Sequence, residues 1–198
     1  MTTCDLCNTE EYLVIYEGNI RDGVVGIQTI DKHKVVKCSN CGLVRLLNNP
    51  LTIKYYQSDD YRNAYNETSN PDDYIEMHAN EQPPRLAKIG ADFFRDKITV
   101  DYGCGGGAFL DLVSNLAIET IGIEPFSGYH KSLKSRGHKI FSDIEIAKSH
   151  FQGKVDSVVS FGVLEHVENP QQYLKDAHSP VSYTHLRAHE TPEHLVCR

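Results

Sequence analysis

The sequence predicts an α/β protein whose main body is a parallel sheet covered by helices on both faces, preceded by a small cysteine-bearing module. Three observations predict it. Strand-like and helix-like segments alternate from residue 98 onward, a glycine-rich turn joins the first of these strands to the helix behind it, and two Cys-x-x-Cys pairs stand near the N-terminus. At 198 residues and 40% apolar content, the chain has room for one medium domain with an appendage. The reading divides it into a ribbon over 1–50, a Tyr-rich linker over 51–84, the main domain over 85–180 and a tail over 181–198. No apolar run approaches a membrane span and the first residues lack the features of a signal peptide, so a cytoplasmic protein with no membrane partner is expected. A formal net charge of −7 works against a sequence-independent grip on nucleic acid, although a local basic patch could survive that average, so nucleic acid is not an expected partner.

Taken in order, Cys4-x-x-Cys7 and Cys38-x-x-Cys41 are two compact turns, each able to offer two thiolates to one tetrahedral ion. They predict a structural Zn(II) site, with two disulfides or a redox pair as the alternatives. Four cysteines close such a site, which leaves His33 as a solvated loop residue. Residues 12–16 and 24–30 have strand-like content, with Gly18-Asn19 and Asp22-Gly23 as turns, as a zinc ribbon requires. In 51–84, Tyr55, Tyr56, Tyr61 and Tyr65 alternate with polar residues. Their rings either cover a cation or a sugar, or pack the ribbon against the main domain. Met77 and His78 are read as packing or solvated residues, and Leu86, Ile89 and Phe93 place a helix over 85–94.

Residues 98–107, Ile-Thr-Val-Asp-Tyr-Gly-Cys-Gly-Gly-Gly, read as a strand running into a glycine loop. Phe109, Leu112, Val113 and Leu116 then recur at helical spacing. Further strands are expected over 120–124, 139–142 and 155–161, with one helix capped by Ser127 and ended by Gly137 and another opened by Asn169-Pro170. Asp101, Glu124, Ser142-Asp143 and Phe161 all fall at strand carboxyl ends, where such sheets bind ligands. The loop is ambiguous by itself, because Gly103-x-Gly105-x-x-Ala108 with Glu124 further on also satisfies a dinucleotide pattern. Asp101 separates the two readings: a carboxylate there repels a pyrophosphate and suits an ammonium group.

The Asp101-x-Gly103-Cys104-Gly105-x-Gly107 run resembles the motif of class I S-adenosylmethionine-dependent methyltransferases, and residues 85–177 are similar to those of the small-molecule type. The resemblance implies a Rossmann-like core that binds S-adenosyl-L-methionine through Asp101, Gly103, Cys104, Gly105 and Gly107, with Phe161 on the pocket. Glu124 looks like the acceptor of both ribose hydroxyls, and Asp143 like the acceptor of the adenine amino group, with Ser142 or the adjoining backbone as rivals. Glu165-His166 resembles the Leu-Glu-His segment on the wall facing the methyl acceptor; His166 with Glu165 beside it is then the candidate base, the alternative being a residue that packs or caps. Metal-dependent O-methyltransferases carry a Glu where this chain has Gly162, so no catalytic metal is expected. A cysteine ribbon before such a domain looks like enzymes of sugar and surface-polysaccharide pathways. A nucleotide-dependent oxidoreductase and a non-catalytic zinc-ribbon binding module are the rival readings. The core is expected to be truncated after its fourth strand, because 181–191 resembles translated sequencing-adapter sequence; on that reading His185, His189, His194 and Cys197 carry no function.

Overall fold

The computed structural model describes residues 3–21, 26–47, 53–64, 68–151, 154–167, 169–178 and 186–189. The N-terminal module is an antiparallel sheet of β1 (Tyr12–Gly18), β2 (His33–Cys38) and β3 (Val44–Leu46), in that order. The second strand is 33–38; of the expected 24–30, residues 24 and 25 lie outside the described residues and 26–30 carry only an isolated bridge from Gln28 to Arg21. Val35 and Val36 supply the β-branched, buried content that decides this, whereas Ile27 and Ile30 are exposed. His33 opens β2 and does not lie in a loop. The Gly18-Asn19 turn is stitched by the Asn19 amide, which donates to the carbonyls of Thr29 and Ile30. The Asp22-Gly23 turn lies outside the described residues. β1 is an edge strand, and its residues 12–17 are all exposed.

The stretch expected as a Tyr-rich linker is largely helical: α1 (Ile53–Tyr56), α2 (Asp59–Ala64) and α3 (Pro71–His78) precede α4 (Gln82–Ile89). Sequence periodicity misses α1 and α2 because each is under two turns long. α3 is better marked, since Asn70 caps it by accepting the amides of Asp72 and Asp73, with Pro71 in the first turn. α4 begins at Gln82, because Pro83 and Pro84 fit a first turn whose amides have no helical partner. Tyr65 lies outside the described residues.

The main sheet comprises β4 (Ile98–Tyr102), β5 (Glu119–Ile123), β6 (Lys139–Phe141), β7 (Ser157–Phe161) and β8 (Leu186–His189), in the order β6-β5-β4-β7-β8 with every pair parallel. Helices α5 (Ala108–Val113), α6 (His130–Ser135), α7 (Ile144–Phe151) and α8 (Pro170–His178) make the crossovers. This is the expected α/β, Rossmann-like architecture with its parallel sheet. Successive strand residues face opposite sides, so Val158 packs with Val100, Ile121, Ile123, Ile144 and Ala177, while Val159 packs with Phe93, Phe94, Phe109 and Val113. The polar groups inside β7 are matched: Ser157 bonds Thr99 at 2.8 Å, and Ser160 bonds both Tyr173 and the Tyr102 carbonyl.

Three expectations are corrected here. Ser127 caps nothing; it opens a short 3-10 turn, and α6 starts at His130. The buried face of α5 is Phe109, Leu110 and Val113, with Leu112 only partly buried, because the helix is packed on two sides: Phe109 and Val113 on the sheet, Leu110 toward Phe126, Tyr129 and Leu133. The sheet also does not stop at its fourth strand, since Leu186–His189 pairs with Val158–Phe161 and occupies the edge that β7 otherwise leaves open. His185, His194 and Cys197 lie outside the described residues.

The face assignment for α5 is directly testable. Leu110→Ala should cost about 2–5 kcal/mol of unfolding free energy, and Leu112→Ala clearly less, as measured by urea titration. Equal losses would restore the face centred on Leu112.

Candidate functional site

Above the carboxyl ends of β4, β5 and β7 lie two contiguous cavities of about 220 and 360 Å³, sharing Tyr61, Tyr74, Gly103, Phe161, Gly162 and His166 in their walls. The sheet supplies the floor. Helices α1–α3 supply the roof, carrying Tyr56, Tyr61, Arg62, Tyr74 and His78. The glycine loop between β4 and α5 runs along the join. Gly103 and Gly105 have φ of +84° and +54°, and a Cβ on them would strike Val163 and the Tyr74 hydroxyl respectively. The loop thus keeps a backbone surface against which Tyr74 lies closely.

Asp101 ends up at the smaller cavity, 2% exposed, with its Oδ1 lacking a hydrogen-bond partner among the described residues. Burial pushes its carboxyl up to about 7; the charge of nearby Arg85 pulls it down and that of Glu124 adds to the rise. Arg85 itself is held by Glu81 and Gln82 and lies over the Phe161 ring. Glu124 serves the larger cavity. Its two oxygens accept the amides of Gly105 at 2.9 Å and Phe126 at 2.8 Å, and the Arg62 guanidinium stands 3.8 Å away. Burial raises its carboxyl above the usual range, opposed by the Phe126 amide, Arg62 and the Gly105 amide. Cys104 is buried in the loop, and burial likewise holds its thiol well above the ordinary range.

The 3-10 turn Leu164–His166 after β7 presents Glu165 and His166 to the same space. The His166 Nδ1 meets the Tyr56 hydroxyl at 3.2 Å, and its ring packs against Tyr56 and Tyr61. Glu165 and His166 approach to 4.0 Å. Ser142 and Asp143 are not brought in. Both are exposed, neither lines the cavities, and Asp143 accepts the Ile146 amide at the start of α7. The structure also brings in residues that sequence reasoning missed or read otherwise. Arg62, Tyr74 and Arg85 were not singled out, and His78 lines the smaller cavity and stacks on Tyr74 at 4.3 Å. Only the tyrosine density of 51–84 signalled this roof.

In the ribbon, Cys4, Cys7, Cys38 and Cys41 bring their sulfurs within 4.8 Å of one another, and all four are free thiols. The Cys4–Cys41 and Cys7–Cys38 separations are 3.6 and 3.5 Å. A tetrahedron with metal–sulfur bonds of about 2.3 Å has edges of about 3.8 Å, so the cluster is nearly at metal-binding geometry. The Thr9 backbone amide and then the Asn40 side chain push the Cys7 thiol down to about 6, whereas at Cys41 the lowering by the Leu43 backbone is outweighed by burial and the neighbouring Cys38, Cys4 and Cys7, which push that thiol up to about 12.

Comparison with known families matches residues 76–192 to the family described as "Methyltransferase domain". Similar solved structures include a SAM dependent methyltransferase from Archaeoglobus fulgidus, at 22% identity over 63% of this chain and 53% of that one, with a TM-score of 0.46. Magnesium protoporphyrin IX methyltransferase from Synechocystis PCC 6803, solved with bound SAM, is similar at 17% identity over 68% and 74%, with a TM-score of 0.47. The plantazolicin methyltransferase BpumL, in complex with a pentazolic desmethylPZN analog and SAH, is similar at 18% identity over 70% and 56%, also with a TM-score of 0.47. The chain spans about half the length of the first of these, 53%. No curated protein matches it.

The buried Asp101 makes stability depend on pH. Its folded-state value of about 7 lies above the ordinary 3.8, so the native state keeps a proton that the unfolded chain releases as pH rises from 4 to 7. Stability therefore falls through that window and levels off above it. Asp101→Asn should remove this loss: the variant should match the parent near pH 4 and exceed it above pH 7, by at most about 4 kcal/mol. Denaturant titrations at pH 4, 6 and 8 check it, and parallel profiles for both chains would disprove it.

Proposed function

Because the chain belongs to the methyltransferase domain family, we propose that it binds S-adenosyl-L-methionine above β4, β5 and β7 and transfers the methyl group to a small-molecule acceptor, a sugar or surface-polysaccharide precursor. The observation that carries this reading is Asp101: a carboxylate buried at the wall of the smaller cavity, without a partner for Oδ1 among the described residues, fits the ammonium of a methionine moiety. The same carboxylate disfavours a dinucleotide, whose pyrophosphate would meet it. When bound, the cofactor supplies an electrophilic methyl on a sulfonium leaving centre.

The chain's residues then have separable tasks. Glu124 keeps lone pairs beyond those used by the Gly105 and Phe126 amides, and these accept the ribose hydroxyls. Tyr56, Tyr61 and Tyr74 exclude water and offer ring faces, favourable both to a sulfonium and to a sugar ring. His166, oriented by the Tyr56 hydroxyl with Glu165 beside it, removes a proton from an acceptor that must lose one. Holding the acceptor in line with the methyl group supplies much of the acceleration. Cys4, Cys7, Cys38 and Cys41 hold one structural Zn(II), which staples a ribbon whose own core is small.

Two measurements test this reading. Calorimetric titration should find binding of S-adenosylhomocysteine and none of NAD. Gly105→Val, which meets Tyr74 and forces a side chain into a positive-φ position, and Glu124→Gln should each weaken that binding, the latter by about 1.5–3 kcal/mol. Unchanged affinity in both variants removes the cofactor assignment. Separately, metal analysis should find one equivalent of zinc per chain; four freely titratable thiols in the folded, metal-free protein would remove the zinc assignment.

A further inference from the structure

Arg62 is 5% exposed and sits where the roof meets the floor of the larger cavity. Its Nη1 donates to the carbonyls of Tyr56 and Ser58, both at 3.1 Å, which ties down the link between α1 and α2. Its Nη2 stands 3.8 Å from Glu124 Oε1, its Nε donates to the Tyr129 hydroxyl at 3.3 Å, and its Cζ lies 3.4 Å from the Phe126 ring centre. One planar group thus holds the cofactor-side carboxylate and the backbone of Tyr56 together. Tyr56 in turn reaches the His166 imidazole through its hydroxyl.

We propose that Arg62 is a positioning residue that couples the two ends of the site, fixing Glu124 at the cofactor end and, through Tyr56, the imidazole of His166 at the acceptor end. This rests on the cofactor reading given above. Only a guanidinium can do both, because its donors diverge in one plane; a lysine ammonium supplies the charge from a single point and cannot serve the two carbonyls and Glu124 together. The linkage also has a sign. A ligand that engages Glu124 should favour the seated roof, and a seated roof should favour that ligand by the same factor.

The test uses the full chain with S-adenosylhomocysteine as the probe and His166 ring signals, read by NMR, as a second measure. Arg62→Lys should weaken S-adenosylhomocysteine binding about tenfold or more. It should also shift the His166 signals in the direction that Tyr56→Phe does, and the double variant should show no further shift. Additive shifts in the double variant, or His166 signals left unmoved by Arg62→Lys, overturn the proposal. So does tighter binding in Arg62→Lys, which would mean that the guanidinium occupies ligand space. Should the variant fail to fold, hydrogen exchange in the unaltered chain decides: amides of residues 55–62 should exchange more slowly once S-adenosylhomocysteine is bound, and unchanged exchange refutes the coupling. If the unaltered chain binds no S-adenosylhomocysteine, the cofactor reading fails, while the His166 signals still decide whether Arg62 positions the imidazole.

Discussion

A buried carboxylate has to be satisfied, and at Glu124 the surrounding chain is bent to satisfy it. Removing such a charge from water costs several kcal/mol unless partners converge on it, and here they come from three places far apart in sequence: amides of the glycine loop and of the turn after β5, and the guanidinium charge of the roof helix α2. The Gly105 amide can point at Glu124 only because the loop takes up left-handed backbone angles there. The Phe126 amide can do so only because the chain leaves β5 in a tight turn. Loop shape, strand end and roof are thus three solutions to one electrostatic problem, and the cavity is the space that remains between them.

The parallel sheet was legible because its signals are local and redundant. Strands of β-branched residues, turns of glycine and a single capped helix start each marked an element, and buried strands such as Ser-Val-Val-Ser-Phe leave little other choice. Counting also puts Asp101 and Glu124 at strand ends and Gly105 in the turn between β4 and α5, and in the structure all three line the cavities. Arg62 was not legible in this way. An arginine among aspartates and tyrosines reads as a solvated residue, and nothing local says that its partner is a carboxylate sixty-two residues further on. His33 and the 33–38 strand failed for a related reason: lysines flanking two valines look polar until the antiparallel pairing with β1 shows which side is covered. Ser142 and Asp143 also follow a strand end, that of β6, yet they stay exposed outside both cavities, where Asp143 accepts the Ile146 amide.

The two halves of the chain meet their stability needs differently. The main sheet buries large side chains on both faces, with Phe94, Leu110, Ile121 and Leu133 fully enclosed. The ribbon encloses little beyond Val35, Val36 and two of its own cysteines, and leaves Leu13, Val14 and Ile15 in contact with solvent. Four sulfurs lie within 4.8 Å of one another there, and an ion bound between them would supply the cross-link that so small a core lacks.

The roof of the cavity is made from residues that precede the sheet, and the sheet's interior contains almost none of them. Natural variation in 53–81 can therefore reshape what the cavity admits without disturbing the packing that keeps the protein folded. Arg62 is the exception, since the guanidinium reaches through to the strand end. A lineage diversifying toward new ligands would be expected to keep Arg62 and the Tyr56 hydroxyl that meets His166, and to vary the rest of the roof around them.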